Sequence, residues 1–247
     1  MLAVVLAATA CGGPAGTSDD DGAAVVVAAA ASLKAPFDVL AGAFHESQTE
    51  FSVAQIEYDG SAALASRIVA GADVDVMAFA NEESLLPVTR AGLVDSSTIF
   101  ASNTMQIAVA PGNPQGIESL EDLADPALSV ILCAPEVPCG AAAEELLDAA
   151  GVTLAPVSLE TNVTSVVTRV SLGEADAGVV HVTDVLASGG TLEGITPENA
   201  GAVVNRYPIA LSPRGASSAA ARAFVDFVGS AEGQAILTAH GFGTGRR

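Results

Sequence analysis

The run Ala24-Val25-Val26-Val27-Ala28-Ala29-Ala30-Ala31, closed by Ser32, sets the architecture. Its residues are small or branched and apolar with no polar alternation, the pattern of a strand covered on both faces. After Ser32, residues Leu33, Phe37, Leu40, Ala41 and Phe44 recur three or four apart, so one face of a helix lies back on the strand's sheet. The order repeats downstream. Leu128 to Cys133 is a short apolar strand, a loop carries Pro135 and Pro138, and Ala143, Leu146, Leu147 and Ala150 mark a helix stopped by Gly151. Strands alternating with helices imply mostly parallel sheets flanked by helices, an α/β fold.

A second repeat is more specific. Leu64, Arg67, Ile68 and Gly71 are matched by Val166, Arg169, Val170 and Gly173 at a constant offset of 102. An Asp and an apolar strand follow each set, Val74 to Ala80 in one case and Ala177 to Val182 in the other. Two similar lobes are expected, although any Gly-ended amphipathic helix in a chain rich in Ala and Val gives a weaker version of the same pattern. Two crossover strands, Thr104 to Ala110 and Tyr207 to Leu211, would join the lobes as a hinge. The expected division is residues 24–105 and 208–247 for lobe I and 106–207 for lobe II. The last helices, Ala219 to Val228 and Ala231 to Ala239, would pack back onto lobe I.

The chain has 247 residues, half of them hydrophobic, and 29 carboxylates against 9 basic side chains give a net charge near −20. That balance excludes nucleic acid as a partner, because phosphate backbones are held by clustered Lys and Arg. The apolar run 1–10 falls short of the ~20 residues that a membrane-spanning helix needs. It reads as a signal segment, and Ala8-Thr9-Ala10-Cys11-Gly12 resembles a bacterial lipobox with Cys11 as the lipidated residue. Residues 11–23, rich in Gly, Ser and Asp, read as a flexible tether. Such a protein would be extracytoplasmic, bound to the membrane only through its lipid. With Cys11 acylated, Cys133 and Cys139 remain as an even pair that could join as a disulfide or stay as two buried thiols.

Enzyme signatures are mostly missing. The chain has no G-x-S-x-G, P-loop or H-E-x-x-H motif, and His45, His181 and His240 are too scattered for a local metal site. Small and polar residues stand instead where strands end and helices begin: Ser32, Ser61, Cys139 with Gly140, and Thr161 to Thr164. Each is by itself an ordinary N-cap. Together, at the carboxyl ends of parallel strands in both lobes, they would direct several helix N-termini at one cleft, able to hold an anion without Lys or Arg. Cys139 at a helix start with His181 as base leaves a thiol hydrolase as the enzymatic alternative.

Ala30-Ala31-Ser32-Leu33-Lys34, Tyr58-Asp59-Gly60-Ser61, Ala134-Pro135-Glu136-Val137-Pro138-Cys139-Gly140, Glu174-Ala175-Asp176-Ala177-Gly178-Val179-Val180, and Glu232-Gly233-Gln234 before Gly241-Phe242 stand in one order from about residue 24 to 243. Together they resemble the molybdate-binding proteins of ABC importers. The resemblance implies the two-lobed type II periplasmic-binding-protein fold and no cofactor. The expected partners are the ligand, molybdate or tungstate, and a membrane permease, with the binding protein a monomer. It implies that Ser32 and Ser61 offer hydroxyls and N–H groups, that Cys139 and Val163 offer backbone N–H groups, and that no residue ligates the metal directly. His181 stands where many members of that family place a tyrosine that reaches the anion. As a neutral ring it would donate one hydrogen bond, and as an imidazolium it would add a positive charge. Sulfate and phosphate are the alternative ligands, and a protonated phosphate would want an acceptor such as Asp59 or Glu136.

Overall fold

The computed structural model describes residues 24–245. The expected signal segment 1–10, Cys11 and the expected tether 11–23 lie outside the described residues, as do Arg246 and Arg247. The chain opens with β1 (Ala24–Ala30), a 3-10 turn at Ala31–Leu33 and α1 (Lys34–Ser47). It continues through β2 (Ser52–Asp59), α2 (Ser61–Val69), β3 (Val76–Ala78), α3 (Leu86–Arg90) and β4 (Ser97–Asn103). After Thr104 come β5 (Met105–Val109), β6 (Val130–Cys133), α4 (Pro138–Ala150), β7 (Ser158–Glu160), α5 (Val163–Ser171), β8 (Ala177–His181), α6 (Val182–Ala187) and β9 (Glu193–Ile195). The chain then returns through β10 (Asn205–Leu211), α7 (Pro213–Ser217), α8 (Ala219–Gly229), α9 (Ala231–Ala239) and β11 (Gly243–Thr244).

These strands form two sheets, ordered β11-β4-β10-β3-β1-β2 and β7-β6-β8-β5-β9. The expected parallel pairing holds for β1 with β2 and β3, and for β6 with β7 and β8. Both sheets are nevertheless mixed. β10 runs antiparallel to β3 and β4, and β5 antiparallel to β8 and β9. A segment that leaves one sheet for the other and comes back must enter against the direction of the βα units, so the antiparallel pairs gather around the crossings. Hydrogen bonding also moves the boundaries slightly from those expected. Met105 already pairs in the second sheet, and Asn205 and Arg206 pair in the first, with β10 lying wholly in that sheet. Asn103 and Asn205 face each other across β4 and β10, one at each crossing.

The first lobe packs around aromatic rings, with Phe37, Phe44, Phe100 and Phe224 all buried. Phe37 meets Phe100 and Phe224 edge-on, and Phe44 meets Phe224 the same way. This brings α1 and α8 onto one face of the sheet, as expected for the final helices. The core of the second lobe is aliphatic, built on Ile107, Ile131, Leu146, Val166, Val170 and Val179.

The repeat at offset 102 is real in three dimensions. Gly71 and Gly173 both take positive φ and end α2 and α5 in the same way. The N–H of Gly71 bonds Ile68 and that of Ala72 bonds Arg67, while Gly173 bonds Val170 and Glu174 bonds Arg169. Asp75 and Asp176 then open their strands identically. Each exchanges backbone N–H and side-chain oxygen with a neighbouring strand or its lead-in, Asp75 with Val26 and Asp176 with Ser129.

Candidate functional site

The carboxyl ends of the parallel strands and the helix starts that follow them meet in one cleft between the lobes. A small cavity there, of about 20 Å³, is lined from the first lobe by Ala31, Ser32, Gly60 and Ser61 and from the second by Cys139, Val163 and His181, among others. Since a single water centre occupies roughly 10–15 Å³, this is room for one small particle and not for a sugar or peptide. All five expected residues, Ser32, Ser61, Cys139, Val163 and His181, are brought to it. Among the described residues no group of three His, Cys, Asp or Glu side chains is placed to hold a metal ion.

Three helix starts at or beside the cavity lack a side-chain cap. Leu33, Gly60 and Val137 precede α1, α2 and α4, and none gives a side-chain cap. By contrast, Ser212, Ser218 and Ser230 cap α7, α8 and α9, each accepting a bond from a backbone N–H in its helix's first turn. The N-cap reading therefore does not hold for Ser32 or Ser61. Ser32 lies in the 3-10 turn with its hydroxyl 3.1 Å from that of Tyr207. Ser61 is the first residue of α2, and its hydroxyl accepts from the N–H of Ala80 at 3.0 Å. That bond spends a lone pair and leaves the hydroxyl proton for another acceptor. Ser61, Cys139 and Val163 all lie in first turns, where no carbonyl of their own helix reaches the N–H groups. Asn162 caps α5 through Ser165, beyond the N–H of Val163.

Cys133 and Cys139 are joined by a disulfide. It ties the end of β6 to the first turn of α4 and so holds the loop that presents the α4 N-terminus to the cleft. A bonded sulfur has no thiolate to offer, which removes the nucleophile from the hydrolase alternative. Of the two carboxylate acceptors expected for phosphate, one stands at the cavity and one does not. Asp59 lines the cavity with one oxygen accepting from Gly60 and the other from Arg67, so its carboxylate is held in place and partly engaged. Glu136 is exposed and does not line it.

His181 ends β8 and is 1% exposed. Its Nδ1 stands 2.9 Å from Oδ2 of Asp184, which also accepts from the His181 backbone N–H at 3.0 Å. A carboxylate oxygen can only accept, so Nδ1 carries the proton. Nε2 is buried without a partner. The ring meets that of Tyr207 edge-on at 6.2 Å. Tyr207 is fully buried, and burial first, then the charge of Asp184, holds its phenol far above the usual range. It therefore acts as a neutral hydroxyl, sharing hydrogen bonds with Ser32 and with Asn103, whose amide also donates to Thr183 at 2.7 Å.

Tyr207, Asp184 and Asn103 do not line the cavity but brace Ser32 and His181, which do. Sequence reasoning singles out neither Asp184 nor Asn103, and Tyr207 only as a phenol at the start of a crossover strand. The spacing of Asp184, three residues after His181 at a helix start, is the signal of a capping pair and was legible. Tyr207 is 175 residues from Ser32, and only the fold brings them together.

Residues 25–243 match the profile of the family described as bacterial extracellular solute-binding protein. The molybdate-binding protein ModA of Mycobacterium tuberculosis is 40% identical over 213 residues, which cover 86% of this chain and 81% of the relative. Among solved structures, the periplasmic molybdate-binding protein of Azotobacter vinelandii superposes with a TM-score of 0.72 at 20% identity, covering 88% of this chain and 98% of that one. The sulfate-binding protein SubI of M. tuberculosis does so with a TM-score of 0.75 at 19% identity, covering 89% and 86%. At such identities the two structures speak for the fold, that of the two-lobed periplasmic binding proteins. The match along nearly the whole chain and the 40% identical relative place the protein in a family: it belongs to the bacterial extracellular solute-binding proteins.

Proposed function

We propose that the protein captures molybdate, or the nearly isosteric tungstate, in the interlobe cleft and delivers it to the permease of an ABC importer. It works as an extracytoplasmic monomer without a cofactor, held at the membrane through lipid on Cys11. The observation that carries this reading is the convergence of uncapped helix starts from both lobes on a cavity sized for one small ion. Neutral donors suffice there. Each hydrogen bond to a charged group contributes about 1.5–3 kcal/mol, so a handful of them outweighs closure costs and reaches the roughly −8 kcal/mol of micromolar capture or better. The name of the 40% identical relative supports the choice of oxyanion.

Titration calorimetry tests the reading. Ser32→Ala and Ser61→Ala are each expected to weaken molybdate binding at least about tenfold, the loss of roughly one charged hydrogen bond. Unchanged affinity in both would refute the assignment of the site. Thermal shift with molybdate, tungstate, sulfate and phosphate at equal concentration ranks the ligands. A larger shift with sulfate or phosphate would transfer the site to that anion. Intact-mass measurement of the membrane-extracted protein reads the acylation of Cys11.

A further inference from the structure

The hydrogen-bond inventory of His181 goes beyond this reading, on which it rests. A ring with one proton has one donor, and Asp184 already takes it at Nδ1. The other nitrogen of this cavity-lining residue, Nε2, is then a bare lone pair, buried and unpartnered. Facing a fully deprotonated oxyanion, a lone pair repels. Facing an oxyanion that still carries a proton, it accepts. The neutral-donor role expected for His181 is thus closed to it, because that proton is spent on Asp184.

We propose that His181, held by Asp184, couples ligand capture to proton uptake and sets the choice between deprotonated and protonated oxyanions. When the ring carries its second proton, Nε2–H donates to a dianion such as molybdate, and the Asp184 carboxylate balances the imidazolium charge behind it. When the ring is neutral, the same nitrogen favours an anion bearing its own O–H, as phosphate does near neutral pH. The other ionisable groups around the ring are few. Tyr207 faces it from β10 as a neutral phenol. Asp59 lines the same cavity with both oxygens engaged by Gly60 and Arg67. Asp184 is the carboxylate in contact with the ring, and the Cys139 sulfur, in its disulfide, does not titrate.

The test is calorimetry of the whole protein with sodium molybdate in pairs of buffers of different ionisation enthalpy, from about pH 6 to about pH 8.5. Binding at the alkaline end is expected to take up close to one proton. The affinity should fall by up to about tenfold per pH unit there, as one-proton linkage requires. The affinity ratio of inorganic phosphate to molybdate should rise with pH. His181→Gln, whose amide donates without titrating, should abolish both the uptake and the slope, and Asp184→Asn should move the fall to lower pH. Molybdate binding by the unaltered protein with no proton uptake and a flat profile overturns the proposal while leaving the oxyanion site intact. No molybdate binding at any pH, by protein shown to be folded from its thermal transition, overturns the site reading and this proposal with it.

Discussion

Gly60 shows how tightly the two lobes meet. A Cβ built on it would stand 2.5 Å from the backbone oxygen of Thr161, an atom of the opposite lobe that cannot swing away as a flexible side chain would. The φ of Gly60 is −59°, a value open to any residue, so glycine is needed here for the close approach and not for its backbone freedom. Gly60→Ala should leave each lobe intact and hold the cleft ajar. Overpacking of this kind costs about 1–3 kcal/mol, here charged to the closed state, which corresponds to roughly 5- to 150-fold in ligand affinity. Calorimetry paired with the thermal transition of the ligand-free protein separates the two effects. Weakened binding with an almost unchanged transition is the expected outcome, and equal affinity would mean that the lobes do not close this far on the ligand.

At the scale of elements, the matched helices α2 and α5 each carry an arginine that reaches back to the neighbouring edge strand. Arg67 pairs with Glu57 and Asp59 on β2, and Arg169 pairs with Glu160 on β7. The carboxyl of Glu160 is held below its ordinary value of 4.5, first by the hydroxyl of Ser158 and then by Arg169. A lowered value in the folded state means that the stabilisation is whole above pH 4.5 and is lost as pH falls through the lower, folded value. Glu160→Gln should therefore lower the stability read from the melting transition at neutral pH by a small amount, on the order of 0.5 kcal/mol for a pair open to solvent screening. The gap to the unaltered protein should close as pH falls through the lowered, folded value; a gap that persisted in acid would assign the loss to packing. The pairing partners of these arginines were not readable from the sequence, whereas the arginines and the glycines that follow them were, because a helix and its C-terminal stop are written within one short segment. The same distinction runs through the whole fold. The runs at Ala24 and Leu128 gave their strands and the helices after them, since apolar periodicity is local. The antiparallel entry of β10 into one sheet and of β5 into the other is not written in local periodicity, because direction in a sheet depends on where the chain re-enters it. At the site, Ser32, Ser61, Cys139 and the stretch Thr161 to Thr164 stand out in the sequence by their places at strand ends, whereas Val163 and His181 enter as contacts through the family resemblance; the fold brings all five to one cavity. The commitment of the His181 proton to Asp184, and of the Ser61 hydroxyl to Ala80, depends on distances that no spacing encodes.

For the molecule as a whole, the net charge near −20 and the cleft act on a dianion with opposite sign and at different range. Lys34 is the only lysine, and it is engaged with Asp38 on the surface of α1. Arg67, Arg169, Arg206 and Arg214 likewise each pair with a carboxylate. The long-range field met by an arriving anion is therefore repulsive, while the uncapped N–H groups and hydroxyls act only at contact. Salt separates the two, since the Debye length shrinks from about 30 Å at 0.01 M to about 8 Å at 0.15 M ionic strength. Raising sodium chloride over that range should screen the surface carboxylates from the incoming ligand and leave the contacts inside the cleft nearly untouched. The association rate for molybdate in stopped flow should accordingly rise several-fold with salt, the reverse of electrostatic steering by a basic patch, while the dissociation rate stays almost constant. An association rate that falls with salt would mean that the helix N-termini project a positive potential out of the cleft strongly enough to overcome the surface. In that case the acidity of the chain would serve some purpose other than the one its arithmetic implies at the binding site.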